Sequence, residues 1–344
     1  MTNAPAGIEK DGRDLFDSAV ARVVDRIEPG TQLTTIRRLS GGASQESWLI
    51  EGGKDGRPVE LVMRRSPGGT TEKREIAVGL PAEARLMTLA RAHDVPAPEV
   101  LHVLEPDDGL GVGFVMRRVH GETIARKILR DAQFADVRPR LAGLCGDALA
   151  RISQIPIADC PPLTALPARA RLDVMYRDYL AYDVRRPVFE YAYRWLYERM
   201  PVEPETLSLV HGDFRNGNLI IDDKGIAAVL DWEMAHAGDP MEDLAWLCVP
   251  SWRFGEIRNV AGGFGPVEQL IDGFEAAGGQ PVNRASLHFW TVLGALYWGQ
   301  SCMNFALEFR AGDRTVERAS IGRRASETEV DIMMLTRVKD GELV

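Results

Sequence analysis

The sequence predicts an α+β fold of two lobes, a small β-rich lobe followed by a larger helical one. Three observations carry that expectation. Short runs of β-formers broken by Gly-rich turns fill the first third of the chain. Helical periodicity takes over after Gly121. The length, 344 residues, gives roughly two units at about 150 residues each.

Residues 1–30 read as an N-terminal extension with a helix, residues 31–119 as the small lobe and residues 120–344 as the large one. Strands are expected over 32–39, 46–50 and 59–64, separated by Ser40-Gly41-Gly42 and by Gly52-Gly53-Lys54-Asp55-Gly56. A helix over 81–93 opens on Pro81 and is closed off by Pro96 and Pro98. Strands over 100–104 and 113–119 complete the small lobe. In the large lobe, apolar spacing predicts helices over 137–155, 172–182, 188–200, 241–248, 267–277 and 284–309. Strands over 219–222 and 227–230 interrupt them, joined by the turn Asp223-Lys224-Gly225, and a further apolar strand leads into His211.

Composition narrows the function classes. Hydrophobic residues at 45% and charged residues at 26% exclude disordered, collagen-like and coiled-coil chains. Fifty acidic against 41 basic residues give a net charge of −9, which argues against nucleic acid as a partner. The most apolar stretch runs from Phe289 to Trp298, about half of a membrane span, and no membrane partner is expected. The N-terminus carries Glu9, Asp11 and Asp14 in place of a signal peptide's apolar run. Cys145, Cys160, Cys248 and Cys302 show no paired spacing, so neither a disulfide scaffold nor a zinc site is expected, and a reducing cytoplasm is.

The segment from Leu209 to Ile221 carries the chemistry. An apolar strand, a polar loop and a second apolar strand hold His211, Asp213 and Asn218, and rigid flanks can position loop side chains. Asp231 leaves the neighbouring strand beside that loop. Two carboxylates and an amide oxygen suit Mg²⁺, a hard ion that prefers oxygen.

His211-x-Asp213-x₄-Asn218 followed by Asp231 resembles the protein-kinase pattern H-x-D-x₄-N and D-F-G. With Gly212 after the histidine, and with Gly238-Asp239-Pro240-x-x-Asp243-Leu244-Ala245 downstream, it looks like the aminoglycoside phosphotransferase and choline-kinase-like family. The resemblance spans residues 30 to 310 and implies a bilobal protein-kinase-like fold. The implied activity is Mg²⁺-dependent transfer of the γ-phosphate of ATP or GTP to a small-molecule hydroxyl. Asp213 would be the catalytic base, and Asn218 and Asp231 would hold the metal. His211 would be scaffold. Asp239, with Pro240 and Glu242, reads as a helix cap with a capping box, and Asp243 as a brace for the catalytic loop.

The small lobe departs from the family pattern. Gly41, Gly42 and Ser44 lie where a phosphate-covering loop belongs, although a Gly-Gly turn is by itself only a hairpin signal. Arg64 stands in place of the phosphate-binding lysine, with Arg65 as the alternative on the opposite strand face. Glu83 shares the inward helix face with Leu86, Met87 and Ala90 and is the expected partner of Arg64; the alternative is a surface acid near a helix start. Met116 and Arg118 lie in the link between lobes, where the family binds the purine edge through backbone atoms.

Arg64, Asp231-Trp232-Glu233 and Tyr193-Arg194-Trp195-Leu196 look most like the kinase-like domain of acyl-CoA dehydrogenase family members ten and eleven. That likeness implies a hydroxyacyl-CoA acceptor, with an aminoglycoside-type phosphotransferase or a nucleotide-binding pseudokinase as alternatives. Glu233, Trp246, Trp252 and Arg253 are candidate acceptor contacts, and each reads equally as lobe packing.

Overall fold

The computed structural model describes residues 6–39, 45–67, 77–312, 314–339 and 341–343. Gly41, Gly42 and Ser44 lie outside the described residues. A helix, α1 (Ala6–Ile27), precedes a five-stranded antiparallel sheet of β1 (Gln32–Arg38), β2 (Glu46–Lys54), β3 (Arg57–Ser66), β4 (Val100–Val103) and β5 (Val112–Arg117) in the order β1-β2-β3-β5-β4. Strand β2 continues through Gly52 and Gly53 where a turn was expected. A Cβ on Gly52 would meet Gln32 O at 2.6 Å, so glycine here lets β1 approach. The reversal is left to Asp55 and Gly56, both at positive φ (49° and 76°), as a tight two-residue hairpin requires.

Strand alternation divides the sheet into two faces. Leu61 and Met63 of β3 and Val115 of β5 pack with Val20, Val23 and Val24 of α1. Val62, Arg64 and Met116, on the opposite face, line a cleft. Helix α2 (Leu80–Ala92) crosses beneath that face and buries Leu86, Met87 and Ala90, with Glu83 among them.

The larger core is formed by α4 (Leu141–Ser153), α5 (Ala168–Ala181), α6 (Pro187–Tyr197), α7 (Met241–Cys248), α8 (Val267–Ala276) and α9 (Arg284–Ala311), numbered after a short α3 (Ala125–Arg130). Helices α10 (Val316–Gly322) and α11 (Ala325–Leu335) pack on α9 and were not anticipated. Helix α4 crosses α8 with backbones nearly touching. A Cβ on Gly146 would lie 2.1 Å from Leu270 O, and one on Gly273 2.2 Å from Gly143 O. Cys145, Cys248 and Cys302 are buried on α4, α7 and α9.

Two short antiparallel pairs present the polar loops. β6 (Ser208–Val210) pairs with β9 (His236–Gly238), and β7 (Leu219–Ile221) with β8 (Ile226–Val229). Glu122, in the link that follows β5, exchanges backbone hydrogen bonds with Ile221 of β7 (2.9 and 3.0 Å) and ties the link to the loop platform. No described helix is long and apolar enough to cross a membrane.

Candidate active site

The loop between β6 and β7 turns on Gly212 at φ 81°, where a Cβ would meet Met234 O at 2.4 Å, so only glycine fits. Asp243, on the first turn of α7, accepts from the backbone N–H of His211 (2.7 Å) and of Gly212 (2.9 Å). Burial nonetheless pushes its carboxyl up to about 7 against those two bonds. His211 donates Nε2–H to Leu230 O (3.1 Å) and accepts the Asp213 N–H at Nδ1 (3.2 Å). Both ring nitrogens are therefore engaged, and burial holds the imidazole near 4 and neutral.

Asp213 is gripped from three sides. Its Oδ1 accepts from Arg215 Nε (2.9 Å) and from Trp246 Nε1 (2.8 Å), and its Oδ2 from Asn218 Nδ2 (2.6 Å). Burial raises its pKa, and Arg215 opposes the rise. Arg215 also lies over the Trp252 ring, 4.7 Å from its centroid. The sequence reading missed Arg215 altogether and treated Trp246 as an acceptor contact or packing. The one available signal was that Arg215 lies two residues beyond Asp213.

Asp231 sits at φ 67° and ψ 60°, a left-handed conformation that costs energy for a non-glycine residue. Its Oδ1 accepts from Arg64 Nη2 (2.7 Å). Arg64 also reaches Glu83 Oε1 through Nη1 (2.7 Å), Gln45 Oε1 through Nε (2.8 Å) and Glu233 Oε2 through Nη2 (3.5 Å). Glu83 is almost fully buried; desolvation pushes it up to about 7, and Arg64 counters that rise. Arg65 points the other way, to Glu46 Oε2 (2.9 Å) and Leu110 O (3.0 Å). Strand alternation thus puts Arg64 alone of the two in the cleft.

Gln45, Arg64, Glu83, Asn218, Asp231 and Glu233 share a cleft of about 560 Å³ with Leu49, Val62, Met116, Ile220 and Leu230 as its apolar walls. Arg118 stands at its rim, paired with Glu51 and Glu60 (2.9 Å each), and its amide is committed to Glu60 O (3.1 Å). The amide therefore offers no free donor for a purine edge, contrary to expectation.

The fit to a divalent cation can be tested on the donor set. Asn218 spends its amide N–H₂ on Asp213 Oδ2 and O, which leaves Oδ1 as an oxygen donor. Three acids, Glu83, Asp231 and Glu233, share one guanidinium, so this end of the cleft is rich in carboxyl oxygens. Among the described residues no three His, Cys, Asp or Glu side chains form a metal cluster. A hard ion held by few protein oxygens and completed by phosphates and water fits this set.

Several expectations need correction. Arg253 is 1% exposed and spends its guanidinium on Cys248 O (2.9 Å) and Ile257 O (2.9 Å), so it is packing rather than an acceptor contact. Trp252 is buried against Trp246 and Trp298. Glu233 joins the Arg64 cluster in the cleft. Asp239 does accept the Met241 N–H (2.9 Å), along with Trp290 Nε1 (2.9 Å). The capping box, however, does not form. Glu242 turns instead to His236 Nε2 (3.0 Å) and Arg171 Nε (3.5 Å), so a ring nitrogen and a guanidinium hold its buried carboxyl in place of one amide.

Residues 35–290 match the model of the phosphotransferase enzyme family. Acyl-CoA dehydrogenase family member 11 of Gallus gallus is 26% identical over 263 residues, covering 72% of this chain and 32% of that protein. The chain thus spans about a third of that relative's length. A Ralstonia eutropha structure provisionally named an aminoglycoside phosphotransferase superposes with a TM-score of 0.71 at 18% identity, covering 93% of this chain and 98% of that one. An aminoglycoside phosphotransferase solved in ternary complex with ADP and hygromycin B superposes at 0.59 with 17% identity, covering 92% and 97%. At these identities the likeness shows the fold, a bilobal kinase-like one.

Proposed function

The chain belongs to the phosphotransferase enzyme family, and from that premise we propose that it moves the γ-phosphoryl group of ATP or GTP, with Mg²⁺, to the hydroxyl of a small acceptor, a hydroxyacyl-CoA thioester. The observation that carries the reading is that Asn218, Asp231 and Arg64 line one cleft beside the loop platform, with Asp213 bonded to Asn218 next to it. The neighbour's ADP complex supports a nucleotide co-substrate.

Asp213 accepts the proton of the acceptor hydroxyl as that oxygen bonds to the γ-phosphorus and the bond to the departing nucleoside diphosphate oxygen breaks. The triple grip on its carboxylate supplies the orientation that a general base needs. Asn218 Oδ1 and Asp231 would hold Mg²⁺, which when bound neutralises charge on the β- and γ-phosphates. Arg64, oriented by Glu83, positions those phosphates. Met116 flanks the base, and Arg118 lies at the rim. Arg215, next to Asp213, is placed to receive charge building on the transferred group.

A polycationic aminoglycoside needs carboxylates on the acceptor side of Asp213. Instead, the guanidinium of Arg215 stands beside Asp213, which favours a neutral or anionic alcohol. Arg64's hold on Asp231 is the feature that a non-catalytic nucleotide binder would share. Four free cysteines support a reducing compartment.

The test is phosphate transfer to hydroxyacyl-CoAs, aminoglycosides and simple alcohols, with Asp213→Asn alongside. We expect the thioester to be the best acceptor. The variant should keep Mg·nucleotide affinity and lose roughly 10²–10⁴ in transfer. Preferential phosphorylation of an aminoglycoside would overturn the acceptor, and an undiminished variant would overturn the base.

A further inference from the structure

Behind the catalytic loop lies a second groove of about 550 Å³, as large as the nucleotide cleft. Three distant segments form it: Arg126 on α3, the turn around Pro250, Ser251 and Phe254 after α7, and the α10–α11 junction with Arg323 and Arg324. Arg130 reaches the rim, where its Nη2 lies 3.6 Å from the Cβ position of Gly255.

The charge state of this groove is unusual for a chain of net charge −9. Nearly all cleft cations are already paired, but the guanidinium groups of Arg126, Arg130 and Arg323 make no hydrogen bond or ion pair among the described residues. Arg324 is shared between Glu327 (3.2 Å) and the face of Trp298 (5.7 Å). Asp331, the other acid in the wall, is pushed up to about 6 by burial, so its opposing charge is weakened. Apolar surface from Pro250, Phe254 and Ile321 completes the walls.

The groove is joined to the reacting centre by a short chain of contacts. Arg324 stacks on Trp298, Trp298 on Trp252 (4.8 Å), Trp252 carries Arg215 (4.7 Å), and Arg215 bonds Asp213 (2.9 Å). The indole N–H groups of Trp252 and Trp298 are buried without a hydrogen-bond partner, so that dividing wall holds two unused donors.

We propose that this groove binds a phosphate-bearing handle of the acceptor, with Arg126 and Arg323 forking the phosphates and the apolar wall taking the attached ring. The proposal rests on the small-acceptor reading above and adds where the far end of that acceptor is held. Two guanidiniums without partners give paired, charge-assisted donors to phosphate, the geometry in which Arg is most selective.

The probe is adenosine 3′,5′-bisphosphate, titrated calorimetrically into the full chain with the nucleotide cleft saturated by Mg·AMP-PNP. Wild type should bind it, more weakly as salt rises. Arg126→Ala/Arg323→Ala should weaken binding by about tenfold or more, from the loss of two charge-assisted contacts. Both residues are exposed, so folding is not at stake, and an unchanged melting temperature checks that. No binding by wild type, or equal binding by the variant, overturns the groove. A second arm compares one hydroxyacyl group carried on coenzyme A and on uncharged N-acetylcysteamine. The double variant should raise KM for the first only, and equal shifts in both overturn the proposal. If neither thioester is phosphorylated but the bisphosphate binds through the arginines, the groove stands and the thioester reading falls.

Discussion

Trp246 donates one hydrogen bond, 2.8 Å, to the carboxylate of Asp213, the proposed base. Trp246→Phe keeps most of the ring and removes only that donor, so kcat should fall by about tenfold while nucleotide KM stays near wild type. Equal kcat in the two proteins would show that Arg215 and Asn218 alone orient Asp213. His211 makes a separate prediction. Its folded pKa of about 4 lies below the unfolded value near 6.5, so the native state binds fewer protons. Its contribution is therefore present above about 6.5 and lost as pH falls toward 4, at most roughly 3 kcal/mol. Denaturation across that window should show a steeper loss in wild type than in His211→Gln, and parallel curves would refute the assignment. That Asp213 and Asn218 meet in one loop, with Asp231 following the next strand pair, was legible because short spacing alone brings them together. The partnership with Trp246 was not, since a tryptophan in an apolar helix stripe looks like core, and 33 residues separate the two. Arg253 misled for the opposite reason. Sequence shows a charge but not that backbone carbonyls already surround it.

Helices with strong apolar spacing were legible nearly to their ends: α7 matches the expected span and α8 ends one residue short. β9 was not, because His-Ala-Gly carries no β-forming pattern and is a strand only through β6. α10 and α11 were missed because α9 supplies the surface that makes them helices. The α4–α8 crossing, by contrast, depends on absent side chains. Gly146→Ala must force backbones apart where Cβ would lie 2.1 Å from a carbonyl oxygen. A loss of about 2 kcal/mol or more is expected in urea unfolding. Gly12→Ala on α1, with nothing within 4 Å of the new Cβ, is the control and should be neutral or better. A comparable loss in Gly12→Ala, or none in Gly146→Ala, would show that the close crossing does not set the cost.

At the scale of the molecule, Arg64 on the sheet holds Asp231 from the loop platform and Glu83 from α2, so one side chain bridges three elements. Arg64→Ala should raise nucleotide KM and lower the melting temperature together, because Glu83 then remains buried without its cation. Arg64→Lys should restore more stability than activity, since an ammonium keeps the charge but not the fork. Full recovery of both would mean that only the charge matters. Lobes, strand faces and the loop site were expected from pattern; the exhaustion of nearly every cleft cation by an acid was not, because pairing across 167 residues leaves no local trace. The three buried cysteines have a different consequence. Desolvation keeps the thiols of Cys145, Cys248 and Cys302 protonated far above neutrality, while Cys160 lies only partly buried. The molecule therefore carries its own clock. The sulfhydryl of Cys160 should answer a disulfide reagent first, and the other three only as often as the helical core opens, so the slow phase of labelling counts native-state breathing without any engineered probe.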